Sequence, residues 1–122
     1  MTNNELGKIG EDIATEYLRK KGFTILSRNW NLHRGCELDI VARMGTILHF
    51  VEVKTRSHAS YSMPEQAITD AKLVHIHKAI QGYCRAMGIW NVRSQIDSIS
   101  IVYTSPENYS VEMYEDIDNP FR

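Results

Sequence analysis

No apolar stretch in the chain approaches the roughly 20 residues that a bilayer-spanning helix requires, so no membrane segment is expected. Cysteine is scarce: Cys36 and Cys84 are too few for a disulfide framework and fit reduced thiols in a reducing cytosol. The opening residues, Met1-Thr2-Asn3-Asn4-Glu5, lack a basic stretch followed by an apolar one. No signal peptide is therefore visible, and a cytoplasmic location is expected. There is no repeat, no low-complexity segment and no long linker, and 122 residues suffice for one domain with a real hydrophobic core. Charge of one sign is also missing in excess. The net charge of −1 argues against a general electrostatic nucleic-acid binder. The acid is concentrated in residues 105–122, where Glu107, Glu112, Glu115, Asp116 and Asp118 face only Arg122, so the first 104 residues carry +3. Steering of an anionic partner must then come from local patches.

What is present is a clear succession of elements. Thr2-Asn3-Asn4-Glu5 has the form of a capping box. Leu6, Ile9, Ile13, Tyr17 and Leu18 follow at helical spacing, and Gly22 stands where that helix stops. Residues 23–30 read as a strand and residues 31–36 as a polar loop. Residues 37–43 and 47–55 read as the two arms of a hairpin turning at Met44-Gly45. Residues 57–62 are polar. Ser62-Met63-Pro64-Glu65 repeats the capping pattern, and Thr69 restarts or continues that helix. Leu73, Ile76, Ile80, Tyr83 and Met87 form its apolar stripe, which Gly88 ends. Residues 95–104 are a strand rich in Ile, Ser105-Pro106-Glu107-Asn108 is a turn, and residues 109–117 alternate like an edge strand. The order is α-β-β-β-α-β-β. A helix between the third and fourth strands permits a parallel crossover, which predicts a mixed sheet with helices packed on it.

The chemistry is concentrated on the hairpin. Side chains alternate along a strand, so Glu52 shares a face with Lys54, and Glu37 with Asp39. Antiparallel pairing across the turn brings Asp39 towards Glu52. Apolar residues surround both, and two carboxylates in such a setting are costly unless paired or bound to a cation. One explanation is a divalent metal site with a lysine beside it. The other is a surface ion pair between Glu52 and Lys54, worth little to stability.

Glu11, Asp39, Glu52 and Lys54, in that element order, resemble the PD-(D/E)XK nuclease superfamily. Most of the chain resembles, more narrowly, the bacterial YraN family, uncharacterised protein family 0102. The matching pieces are Gly7-Lys8-Ile9-Gly10-Glu11, Arg28-Asn29-Trp30, Glu37-Leu38-Asp39-Ile40-Val41-Ala42 and Phe50-Val51-Glu52-Val53-Lys54-Thr55-Arg56. Further on come Pro64-Glu65-Gln66-Ala67-Ile68-Thr69 with Lys72, then Ile96-Asp97 and Asn119-Pro120-Phe121. The chain departs from the family pattern at Cys36, between Gly35 and Glu37, at Met44 in the turn, and at Gln95-Ile96, where Arg-Phe is common. None of these removes a metal-ligand candidate.

The resemblance implies a single α/β domain of the restriction-endonuclease type, a mixed sheet flanked by helices, acting as a metal-dependent endonuclease or nuclease-like protein on DNA or RNA. Hard oxygen ligands suit Mg²⁺ or Mn²⁺. Asp39 and Glu52 are the implied principal ligands, with the Val53 carbonyl and Glu11 as additional ones. Lys54 orients or deprotonates the attacking water and stabilises charge on the phosphate. Gln66 is an auxiliary polar residue of the catalytic set. Arg34, Arg43, Arg56 and Lys72 are expected to contact the nucleic-acid backbone, and Arg28 flanks the same region. Asp97 is expected to be structural. Trp30 packs at an edge or stacks on a base. A homodimer would suit cleavage of two strands. Two other functions fit the same residues: a catalytically idle nucleic-acid-binding module, and a protein-interaction adaptor using the acidic 107–118 region.

Overall fold

The structure, a computed structural model, describes residues 1–33, 35–58 and 68–119. The first helix, α1, spans Asn3–Lys20. Thr2 is its N-cap, extended at φ −80° and ψ 164°, and the Thr2 hydroxyl accepts the Glu5 N–H at 3.1 Å. It ends as Gly22 takes φ +99° and the Phe23 N–H reaches back to the Leu18 carbonyl at 3.0 Å. Three strands follow: β1 Thr24–His33, β2 Cys36–Met44 and β3 Ile47–Ser57. The second helix, α2, spans Asp70–Met87, capped by the Thr69 hydroxyl on the Lys72 N–H at 3.1 Å and ended by Gly88 at φ +66°. The chain closes with β4 Ser94–Ser105 and β5 Asn108–Tyr114.

The strands lie in the order β1-β2-β3-β4-β5. Neighbours are antiparallel except β3 and β4, which α2 connects as a parallel crossover. The element order and mixed sheet are those expected. One face of the sheet packs on α1 through Ala14, Leu18, Ile40, Val51 and Ile99, and the other on α2 through Leu38, Phe50, Ile76, Ala79 and Tyr83. No helix among the described residues is long and apolar enough to cross a membrane.

Three local expectations are corrected. The loop expected at residues 31–36 is largely strand: β1 runs on through His33, paired with Cys36. Asn31, Leu32 and His33 are all exposed, so no buried face left a periodic signal there. The last strand ends at Tyr114 rather than at residue 117, because the Asp116 and Ile117 N–H groups bond instead to the Asp97 carboxylate and the Ile96 carbonyl. Met87 lies outside the packed stripe of α2, 50% exposed, while Gly82 is buried against Leu32 and Trp30. Trp30 is half-buried, edge-on to Tyr83 at 5.5 Å. The capping pattern at residues 62–65 and the Pro120-Phe121 piece lie outside the described residues.

The approach of α1 to the sheet depends on Gly10. A Cβ there would lie 1.7 Å from Thr55 Oγ1 and 2.7 Å from Thr55 Cβ. The hydroxyl can rotate away, but the Cβ cannot, so a side chain at position 10 lifts the helix that carries Glu11. Gly10→Ala is expected to destabilise the fold by about 1–3 kcal/mol, as overpacking does. The cost should shrink in a Thr55→Gly background, a coupling that urea denaturation of the four proteins of a double-mutant cycle measures. An additive cycle would mean that the helix does not rest on this contact.

Candidate active site

The site begins where β2 and β3 part. Their ladder runs from Met44↔Ile47 to Ile40↔Val51. Beyond it, β2 stays with β1 through Trp30↔Leu38, whereas β3 stays with β4 through Glu52↔Ser98 and Lys54↔Ser100. Asp39 bridges the fork. Its Oδ2 accepts the Val53 N–H at 2.8 Å, so a side chain takes over from the ladder the task of satisfying that backbone donor. The strand also rotates here. Leu38 packs in the α2-side core and Ile40 in the α1-side core, although residues two apart in a regular strand share a face. On β1, Asn29 has φ +52°, and Arg28 pairs with Ile40.

Both helices deliver charge to the fork. From α1 comes Glu11, whose carboxylate feels Asp39 and is held by Asn29 and by Arg28 at 3.9 Å. From α2 comes Lys72, with Nζ 3.4 Å from Glu52 Oε1. Burial raises the Asp39 carboxyl above its ordinary range, against the Val53 N–H and the Lys72 charge, which lower it. Burial, and then the neighbouring Asp39 charge, push Glu52 up to about 7. Glu11 is raised too, first by burial and next by Asp39. Three partly buried carboxyls, all raised by burial and two of them raised further by the Asp39 charge, are oxygen donors that fit a hard divalent cation such as Mg²⁺ or Mn²⁺.

Of the residues singled out in the sequence, the fork thus brings together Asp39, Glu52, Val53, Glu11 and Lys72. Lys54 is half-buried on β3, two residues past Glu52, and Arg56 follows it by two more. Glu37 is exposed, with its charge still felt by Asp39. Arg43 is not at the fork. It lies at the turn end of the hairpin, donating to the Gly45 carbonyl at 3.2 Å. Arg28 is committed to Asp12 at 2.7 Å as well as to Glu11. Arg34 and Gln66 lie outside the described residues. An open cleft of about 660 Å³, lined by α1 residues from Asn3 to Asp12 and by Arg28 and Asn29, runs up to Glu11.

Two features had no signal in the sequence. Lys72 as the partner of Glu52 joins residues far apart in the chain. A second polar group lies at the other end of β3, where His49 Nδ1 sits 2.6 Å from Asp97 Oδ2 and both residues are buried. Asp97 also accepts from Gln95 at 2.8 Å and from the Asp116 N–H at 2.9 Å. Glu115 brings a third candidate ligand atom within 4.8 Å of the other two. His75 and His77 do not act together: His75 Nδ1 lies 3.5 Å from Cys36 Sγ, and His77 Nε2 lies 2.6 Å from Asp118.

A family profile described as "Uncharacterised protein family UPF0102" matches residues 10–101, a span that holds Glu11, Asp39, Glu52, Lys54 and Lys72. A UPF0102 protein of Carboxydothermus hydrogenoformans is 40% identical over 101 residues, covering 83% of this chain and 85% of its own. One from Geobacter sulfurreducens is 42% identical over 110 residues, covering 90% and 85%. One from Dictyoglomus turgidum is 38% identical over 121 residues, covering 99% and 100%. Among solved structures, Hjc, a Holliday junction resolvase from Archaeoglobus fulgidus, superposes with a TM-score of 0.45 at 18% identity, over 86% of this chain and 72% of that one.

The raised Glu52 carboxyl has a consequence for stability. Its ordinary value is 4.5 and its folded value about 7, so between these the folded protein holds a proton that the unfolded chain has lost. The associated stabilisation is complete below the unfolded value and disappears as pH rises through the folded one. Chelator-treated protein should lose stability from pH 5 to 7.5 relative to a Glu52→Gln variant, by at most on the order of 3 kcal/mol. Denaturant melts of both proteins across that range test this. Parallel pH profiles would mean that Glu52 is ordinarily ionised in the fold.

Proposed function

The chain belongs to the uncharacterised protein family UPF0102, and we propose that it is a divalent-metal-dependent nuclease, hydrolysing phosphodiester bonds in DNA or RNA. The observation that carries this reading is the half-buried Asp39–Glu52 pair at the fork, with Glu11 beside it, Lys72 3.4 Å from Glu52, and Lys54 two residues after Glu52 on β3. A pair that holds a proton near neutrality in the free protein is a poor ornament for a surface. It is a natural seat for a cation.

Asp39 and Glu52 would hold the Mg²⁺ or Mn²⁺, with Glu11 and the Val53 carbonyl as further oxygen donors. The bound cation supplies Lewis acidity, which makes water more acidic and polarises a phosphoryl oxygen. The chain does the rest. Asp39 is kept in place by the Val53 N–H, so its orientation is set by the backbone of the very strand that carries Glu52 and Lys54. As a ligand Glu52 would be present as the carboxylate, its proton lost to solvent water. Lys54, on the Glu52 face of β3, hydrogen-bonds a non-bridging phosphate oxygen and the attacking water, and so favours charge as it develops on the phosphate. The water oxygen joins phosphorus as its proton passes to solvent, the bridging P–O bond breaks, and the departing oxygen takes a proton from solvent water. Arg56, further along β3, and the open cleft leading to Glu11 extend the surface along which a nucleic-acid strand lies.

The test separates Lys54 from the ligands. Lys54→Ala should reduce cleavage on the order of a hundredfold or more while Mn²⁺ binding and the fold persist. Asp39→Asn should lose metal affinity and cleavage together, its amide oxygen still accepting the Val53 N–H. Calorimetric Mn²⁺ titration beside cleavage of single-stranded, duplex and branched DNA and RNA provides both readouts. Cleavage untouched by Lys54→Ala would leave that lysine as an ion-pair partner only. Binding of nucleic acid without cleavage by the wild type would make the protein an idle binding module, and no binding at low salt would leave the adaptor reading.

A further inference from the structure

Lys72 is placed against expectation. It stands in the first turn of α2, where a cation opposes the helix dipole, yet its backbone is fixed there by the Thr69 cap at 3.1 Å. Its Nζ is 3.4 Å from Glu52 Oε1, and the two side chains are unequally covered, 43% exposed for Lys72 against 13% for Glu52. The carboxylate is inside and the ammonium is at the mouth. The lysine charge is felt by Asp39 as well as by Glu52. Lysine is a point charge on a flexible four-carbon stem, able to re-aim without moving its helix.

We propose that Lys72 is the resident counter-cation of the Asp39–Glu52 pair: it neutralises the pair in the metal-free protein, competes with the divalent cation for Glu52, and turns to a substrate phosphate once the cation is bound. This rests on the nuclease reading above and adds a residue whose role changes with metal occupancy. The signs of its effects are opposed. A group that only supported the site would weaken metal and substrate binding alike when removed. A competing counter-cation strengthens the first and weakens the second. Two like charges cannot both be close to Glu52 without repulsion, so the metal gains affinity when the lysine is gone.

The variants are Lys72→Gln, which keeps the stem and removes the charge, and Lys72→Arg, which keeps the charge. Mn²⁺ affinity is read by electron paramagnetic resonance of free Mn²⁺ at low ionic strength, in the full chain without nucleic acid. Lys72→Gln should bind Mn²⁺ on the order of tenfold more tightly than the wild type, while Lys72→Arg stays within about twofold of it. Oligonucleotide binding is then measured by anisotropy at saturating Mn²⁺ in a Lys54→Ala background, where cleavage is suppressed. Adding Lys72→Gln should weaken binding and reduce the salt slope by about 1. Wild-type protein that binds no Mn²⁺ would overturn the nuclease reading and this inference with it. Wild-type binding with Lys72→Gln equal or weaker would overturn the counter-cation role alone. Tighter Mn²⁺ binding with an unchanged oligonucleotide salt slope would overturn the transfer to phosphate.

Discussion

The hydrogen bond from the Val53 N–H to Asp39 is the interaction on which the site depends. A sheet normally keeps its neighbouring strands together because each buried N–H and C=O needs a partner. Here β2 and β3 separate after Ile40 and Val51, and a carboxylate takes the place of the missing backbone acceptor. An unsatisfied buried N–H costs about 1–3 kcal/mol, so the bond makes the fork tolerable to the fold. It also fixes one acid against the strand that carries the other. Structure and chemistry therefore meet in one side chain, and its removal disturbs both. An acceptor-preserving change at position 39 is the way to tell them apart.

The helices reach the fork from opposite faces, each by a close approach. Gly10 lets α1 settle onto Thr55 and bring Glu11 within electrostatic range of Asp39. Gly82 lets α2 settle against Leu32 and Trp30, the same helix whose first turn sets Lys72 beside Glu52. The acids are thus brought together by close packing. Their cations lie nearer the solvent than they do. Arg28 spans Glu11 and Asp12 at the rim of an open cleft, and the Lys72 ammonium is substantially exposed. Inner anions with outer cations on long side chains are the arrangement from which the counter-cation proposal for Lys72 is drawn.

The local features were legible because their causes are local. Thr2 and Gly22 mark the ends of α1, and Gly88 marks the end of α2, through cap chemistry carried by a few residues. The nearness of Asp39 and Glu52 followed from a two-residue turn and strand alternation. What alternation could not show was the rotation of β2 at Asp39, opposite the stretch of β1 where Asn29 takes φ +52°. It also missed the strand character of Asn31 to His33, whose side chains are all exposed. Lys72 was read as a phosphate contact because nothing in the linear pattern says which strand its helix crosses. The His49–Asp97 contact was equally invisible. It spans 48 residues and follows from the parallel register of β3 and β4.

That contact gives the clearest measure of what is unusual at the fork. Asp97 is fully buried, more so than Asp39, yet its two oxygens receive His49, the Gln95 amide and the Asp116 N–H. With those donors it ties the start of β3 and of β4 to the segment after β5. Asp39 and Glu52 are provided for differently. Asp39 accepts the Val53 N–H, Glu52 meets the Lys72 ammonium, and burial raises both carboxyls. The same sheet therefore holds one buried carboxylate met by neutral donors and an imidazole, and a second group of acids whose carboxyls are raised by burial. Raised, partly buried carboxyls from separate elements beside an open cleft are what make the fork the candidate place for chemistry.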